Sequence, residues 1–324
     1  MQPMALVRRM QKRGIGIAAA LASAVFLGFT PVLGKLAINL GISPLGVVAW
    51  RTVLAALLIL AFVVAFYRPF LYIFPAGFYG CALAGCINGA GSLLYYLALD
   101  RLNAGVGQII YSLYPFFLAL WLSLDGQPLG ILTLFRMLIA TAGIVLLTAL
   151  HPGGVDVIGV LMMLGAAALF ALHLPINQRV LYEVPAPTVT LYTLLAMSII
   201  VVPVYVIFDP HPSAAAAASW PVIGLTLVTS LARLSLFFGV KTIGGMQTAL
   251  LGLAELLVAV LLSGLWLGES LSAFQWLGAI ALAASLILVR YEKAQPWSRP
   301  ERRGWFAWIR PPEIPRDAPW APHE

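Results

Sequence analysis

The chain has 324 residues, of which 61% are hydrophobic and only 10% charged, with a formal net charge of +7. A soluble domain is about 45–50% apolar and about 25% charged, so this composition excludes a soluble core and reads as a polytopic membrane protein. Nucleic acid is excluded as a partner for the positive charge, because most cations flank apolar runs or fall in charged tails. Cys81 and Cys86 share one apolar run and read as packing residues, neither a disulfide nor a metal pair.

Ten apolar runs reach the roughly 20 residues needed to cross a hydrocarbon core. They cover 16–39, 44–66, 71–99, 104–124, 129–150, 157–180, 189–208, 220–240, 246–267 and 273–289. Turn-forming stretches separate several of them: GISP (41–44), DGQP (125–128), HPGG (151–154), DPHPS (209–213), IGG (243–245) and LGES (267–270). Arg8, Arg9, Lys12 and Arg13, followed by ALASA (20–24), imitate a secretory signal. The apolar run continues well past that point, so an uncleaved first helix is expected.

The cations orient the runs. With the N-terminus in the cytoplasm, that face collects Arg8, Arg9, Lys12, Arg13, Arg68, Arg179, Lys241 and the tail cations from Arg290 to Arg316. The opposite face holds Lys35 and Arg101. Both termini are therefore expected in the cytoplasm. The tail rich in Trp, Arg and Pro (296–322) reads as a segment brushing anionic headgroups.

Residues 24–35 (AVFLGFTPVLGK) and 168–179 (ALFALHLPINQR) align Ala24 with Ala168, Phe26 with Phe170 and Pro31 with Pro175. Each ends in a cation, and each places a proline inside an apolar run, where it costs about 3 kcal/mol in a helix interior. Other segments match in the same order: 95–102 with 236–243, 113–124 with 254–265, and 135–138 with 274–277. Ten runs divide into five and five, and five is odd, so the second half would lie inverted in the membrane. Inverted repeats are an architecture of alternating-access carriers, with the solute site near the midplane between them. In such a repeat Pro31 and Pro175 are matched bends.

The stretches PVLGK (31–35), SP (43–44) and WRTVLAALLIL (50–60), with LAEL (253–256), LGES (267–270) and FQWLG (274–278), resemble the drug/metabolite transporter superfamily. Within it the chain looks most like the ten-helix EamA-type exporters, over roughly residues 14–290. Leu256 departs from that pattern, since many relatives carry proline after the glutamate, whereas Pro115 keeps the first-half counterpart. The departure leaves the bending of span 9 open. The resemblance implies an all-α membrane protein of ten helices in two inverted repeats, divided as 1–13, 14–150, 151–290 and a tail at 291–324. It also implies export of small metabolites, aromatic and other amino acids among them, across the bacterial inner membrane.

Ionisable residues at membrane depth usually face protein or a cavity. Arg233 and Glu255 lie at matching depth on consecutive spans and read either as a mutually neutralising pair or as a gate or proton-coupling pair. Arg51 and Arg136 lie nearer span ends, where snorkelling competes with solute contact. His173 either donates to a carbonyl freed by Pro175 or senses solute or protons. Gly85 and Gly89 permit close helix approach, and Asn88 beside them offers a donor and an acceptor. Gln108, Tyr111 and Tyr114 form a stripe three residues apart.

The sequence thus predicts a solute site of Trp50, Asn88, Tyr95, Gln108, Tyr111, Tyr114 and His173, with Arg233, Glu255, Pro31 and Pro175 gating or coupling. No nucleotide, hydrolase or metal motif occurs in the sequence, so no cofactor is implied and the partners are a small solute and the bilayer, with a monomer sufficient. Energy coupling stays open between facilitated and proton-linked export. The competing readings are a sugar-phosphate or nucleotide-sugar carrier, a drug efflux protein, and an intramembrane lipid-modifying enzyme.

Overall fold

The computed structural model describes residues 2–102, 104–125, 130–148, 156–209 and 219–267, with six positions between 277 and 288, and the side chains of most of these from Arg13 onward. These residues form helices and no strand. The expected last span at 273–289, the LGES turn and the C-terminal tail fall largely or wholly outside them.

The helices are α1 (Gln2–Gly28), α2 (Thr30–Asn39), α3 (Pro44–Phe66), α4 (Pro75–Arg101), α5 (Ala104–Tyr111) and α6 (Tyr114–Leu124). They continue as α7 (Ile131–Thr148), α8 (Val157–Leu181), α9 (Ala186–Phe208), α10 (Trp220–Ile243), α11 (Gly245–Gly252) and α12 (Ala254–Leu267). Six segments are long and apolar enough to span a bilayer: 13–39, 44–66, 75–101, 157–181, 186–208 and 220–243. α6, α7 and the pair α11–α12 are shorter and apolar. The expected span at 71–99 starts later, because Arg68–Leu71 winds into a separate tight turn before Pro75.

Local chemistry sets the helix starts. Ser43 caps α3 by accepting from the Gly46 N–H at 2.9 Å, with Pro44 opening the helix. Asp156 caps α8 by accepting from the Ile158 and Gly159 N–H groups. Those bonds, the Gly159 one foremost, together with Arg101, hold its carboxyl below the ordinary carboxylate range. The predicted GISP and IGG turns each contain a glycine at positive φ, Gly41 at 85° and Gly244 at 86°, a conformation open to glycine at little cost.

α4 packs along α8 and α9, while α10 packs along α1 and α3. The glycines of α4 set the first contact. A Cβ on Gly85 would lie 2.5 Å from Ala196 Cβ and 2.6 Å from the Thr193 carbonyl oxygen of α9, so only glycine permits this approach. The buried cores run across both groups: one joins α6, α8, α10 and α11, and another joins α2, α3, α4 and α10.

Polar contacts tie loops together at the two ends of the bundle. At one end Lys35 Nζ donates to the Leu99 carbonyl at 2.8 Å, Ser43 donates to Asp209, and Arg101 pairs with Asp156 at 3.1 Å. At the other, Arg179 pairs with Asp125 at 2.6 Å, Lys241 donates to the Val184 carbonyl at 3.1 Å, and the Gly245 N–H donates to Gln178 at 2.9 Å.

Candidate functional site

Three expected spans are broken partway along their length: at Phe29 between α1 and α2, at Ser112–Leu113 between α5 and α6, and at Leu253 between α11 and α12. In the first two the second residue of the new helix is proline, Pro31 or Pro115. The missing N–H costs nothing there, since first-turn N–H groups lack intrahelical partners. In the third that position holds Glu255, a carboxylate at a helix N-terminus, where the helix dipole favours it. Span 9 therefore breaks without a proline.

The third break is sustained from across the bundle. In an unbroken helix the Ala249 carbonyl would accept from the Leu253 N–H, which here turns to Leu251 instead. The Tyr114 hydroxyl fills the vacancy, donating to Ala249 O at 2.7 Å. Pro175 behaves differently from Pro31: α8 runs unbroken through it. One proline removes one hydrogen bond, and α8 stays packed along α4, so the helix remains continuous at the expected bend.

The three breaks converge on one cavity. Leu27 and Thr30 reach it from the first, Gln108 and Tyr111 from the second, and Glu255 from the third. Asn88, Gly91, Ser92 and Tyr95 of α4 form a wall, with Arg51 of α3, Phe170 of α8 and Arg233 of α10. Its volume is about 50 Å³, room for a few waters rather than an organic solute.

Of the residues expected to form the site, Asn88, Tyr95, Gln108, Tyr111, Arg233 and Glu255 line this cavity. Tyr114 and His173 stand behind the wall, and both rings pack on Phe170, with centroids 5.0 and 4.8 Å away. Trp50 lies elsewhere, edge-on to Tyr205 at 6.4 Å. Pro31 and Pro175 are buried in their helices and not on the wall.

Hydrogen bonds hold the wall in place. Tyr95 donates to Gln108 Oε1 at 3.2 Å, and Gln108 in turn bonds Glu255. His173 Nδ1 lies against the Phe170 carbonyl, which can only accept, so Nδ1 carries the ring proton. The bare Nε2 then accepts from Arg233 Nη1 at 3.3 Å. The histidine neither reaches the Ala171 carbonyl that Pro175 frees nor faces the cavity; it positions Arg233.

Two expectations are corrected. Arg233 and Glu255 border the same space, yet the ion pairs among the described residues join Arg101 to Asp156 and Arg179 to Asp125, not these two. Arg51 does not snorkel: it is 7% exposed, donates to Thr229 and Ser92 at 3.3 Å each, and lies 4.8 Å above the Tyr96 ring. Arg136 is likewise fully buried. Sequence reasoning missed Ser92 and Thr30 as wall residues, since hydroxyls in apolar helices carry no periodic signal, while for Arg51 it left solute contact open beside snorkelling. Phe170 was within reach, as it is the residue matched to Phe26.

Among the described residues, a bundle of apolar helices with unwound mid-span segments around a small polar, partly aromatic cavity defines a polytopic membrane protein built around an internal site. The model of the EamA-like transporter family matches residues 14–149 and again 157–291. The chain belongs to this family and is a membrane transporter rather than an enzyme. It is 26% identical to the uncharacterized inner membrane transporter YicL of Salmonella typhimurium, over 61% of this chain and 67% of that protein. It is also 26% identical to an uncharacterized transporter of Synechocystis, over 63% of this chain and 64% of that protein. A protein of known crystal structure superposes with a TM-score of 0.68 at 18% identity, covering 88% of this chain and 99% of that one, a likeness of fold.

Proposed function

We propose that the protein is a secondary transporter of the bacterial inner membrane that exports amino acids with aromatic or apolar side chains by alternating access between two inverted five-helix repeats. The observation that carries this reading is the cavity at the three helix breaks, which combines Arg51, Arg233 and Glu255 with the aromatic faces of Tyr95, Tyr111 and Phe170. A small-molecule site needs an apolar lining with a few placed polar groups, and a zwitterion needs both signs of charge. The narrowness of the cavity supports a cycle in which helices must part to admit the solute.

The packing supports the repeat. If spans 6–10 repeat spans 1–5, the contact of α4 with α8 must have a counterpart in α10 with α1, and that of α4 with α9 a counterpart in α10 with α3. Both are present. The two separate family matches, 14–149 and 157–291, divide the chain the same way. The cation distribution supports cytoplasmic termini, and the relative's designation as an inner membrane protein supports that location. A phosphate-bearing cargo fits less well, because Glu255 stands in the same cavity as the arginines.

Reconstitution in liposomes tests the proposal. Labelled phenylalanine or leucine should exchange across the membrane saturably and without ATP. Intact, folded protein that carries no apolar or aromatic amino acid overturns it.

A further inference from the structure

Three polar atoms on the wall of one cavity have no hydrogen-bond partner among the described residues: Thr30 Oγ1, Arg51 Nε and Glu255 Oε1. An unmet buried donor or acceptor is costly, more so when charged, and close packing supplies no reason to keep three of them together. The rest of each charged group is already occupied. Arg51 spends Nη1 on Thr229 and Nη2 on Ser92, and Tyr96 supports its face. Glu255 bonds Gln108, itself fixed by Tyr95. Arg233 is turned toward His173 and Met197 and has no unmet nitrogen of this kind. Both a donor on a cation and an acceptor on a carboxylate are thus held ready, and they do not satisfy each other.

We infer that the cavity reads the two charged groups of its cargo separately: Arg51 takes the carboxylate and Glu255, with Thr30 on the same cavity wall, takes the ammonium. The inference rests on the transporter reading of this cavity and adds a selectivity to it. A solute carrying only one of the two charges leaves the opposite group unmet and is discriminated against. Arg51 and Glu255, rather than the aromatic wall, then separate an amino acid from its deaminated or decarboxylated analogue.

The test uses the purified full-length protein in detergent and measures binding of L-phenylalanine, 3-phenylpropionate and phenethylamine, with L-leucine, 4-methylpentanoate and isopentylamine as a second set. The wild type should prefer each amino acid to both analogues by at least about tenfold, the factor that one lost charge-assisted hydrogen bond brings. Glu255→Gln, which keeps the shape and the amide contact, should bring the preference over the carboxylate analogue to about one while retaining the preference over the amine. Arg51→Gln should do the reverse. Arg51→Lys keeps the charge and should retain part of the selectivity; if Arg51→Gln does not fold, Glu255→Gln and Arg51→Lys decide. A wild-type preference near one, or a preference that survives in both neutral variants, overturns this inference and leaves transport standing. A folded wild type that neither binds nor carries any amino acid overturns the amino-acid reading of the cavity instead.

Discussion

The hydroxyl of Tyr114 donates to the Ala249 carbonyl at 2.7 Å, and it comes so close to Gly252 that a Cβ there would collide with it. One hydrogen bond and one missing methyl group thus hold α6 against the break between α11 and α12. Tyr114→Phe strands a buried carbonyl and should cost about 1–3 kcal/mol, read as a lower melting temperature in detergent. Gly252→Ala pushes the same hydroxyl away and should cost a comparable amount. The double variant should fall well short of the sum, since both act through one contact; full additivity would refute the coupling. The stripe of Gln108, Tyr111 and Tyr114 was legible in the sequence, but its division of labour was not. Spacing puts the three on one helical face, and only the cross-span bond to a freed carbonyl draws Tyr114 behind the wall that Gln108 and Tyr111 form. Arg51 was left open between snorkelling and solute contact for a related reason: its partners Ser92 and Thr229 belong to other spans, and sequence position alone gave only its distance from a helix end.

Prolines in the sequence pointed to bent spans, and the helices show where such a span is interrupted outright. Pro31 and Pro115 stand second in α2 and α6, where the chain has already broken, while Pro175 stands deep in α8, which continues. Leu253 marks a break with no proline at all. A proline thus tolerates a helix start more reliably than it creates one, and the third break depends on Tyr114 and Gly252, which no local signal announces. Position within the half-helix makes a prediction. Glu255→Pro places proline where Pro31 and Pro115 already sit, so its stability should match that of Glu255→Ala within about 1 kcal/mol, although both lose the carboxylate. Val258→Pro, one turn further in, removes an interior hydrogen bond and should cost about 3 kcal/mol more. Equal melting temperatures for Glu255→Pro and Val258→Pro would contradict the assignment of the break to Leu253.

Threading the ten runs through a membrane assigns every loop to a face, and the polar contacts between loops respect that assignment. Lys35, Ser43, Arg101, Asp156 and Asp209 meet at one end, and Asp125, Gln178, Arg179, Val184 and Lys241 at the other. Hydropathy and charge made this much of the architecture legible, because both are summed over whole segments and survive local errors. The two ends are nevertheless closed by different means. Arg101 and Asp156 are 45% and 35% exposed, whereas Arg179 and Asp125 are 6% and 1% exposed. An exposed pair adds little, while removing one partner of a buried pair takes a charge-assisted bond from the other at a cost of about 3–5 kcal/mol. Arg179→Ala and Asp125→Ala should each lower the melting temperature strongly, and Arg101→Ala should leave it near wild type. The double variant Asp125→Ala/Arg179→Ala strands neither charge and should be more stable than the worse single variant. In the proposed transport cycle this buried pair is one of the contacts that part for the cavity to open toward its end. The double variant, relieved of that contact, should exchange amino acids faster than wild type wherever opening at that end limits the rate. A double variant as unstable as the two single losses added together would show that the residues act independently, and the pair would then not be a closing contact of that end.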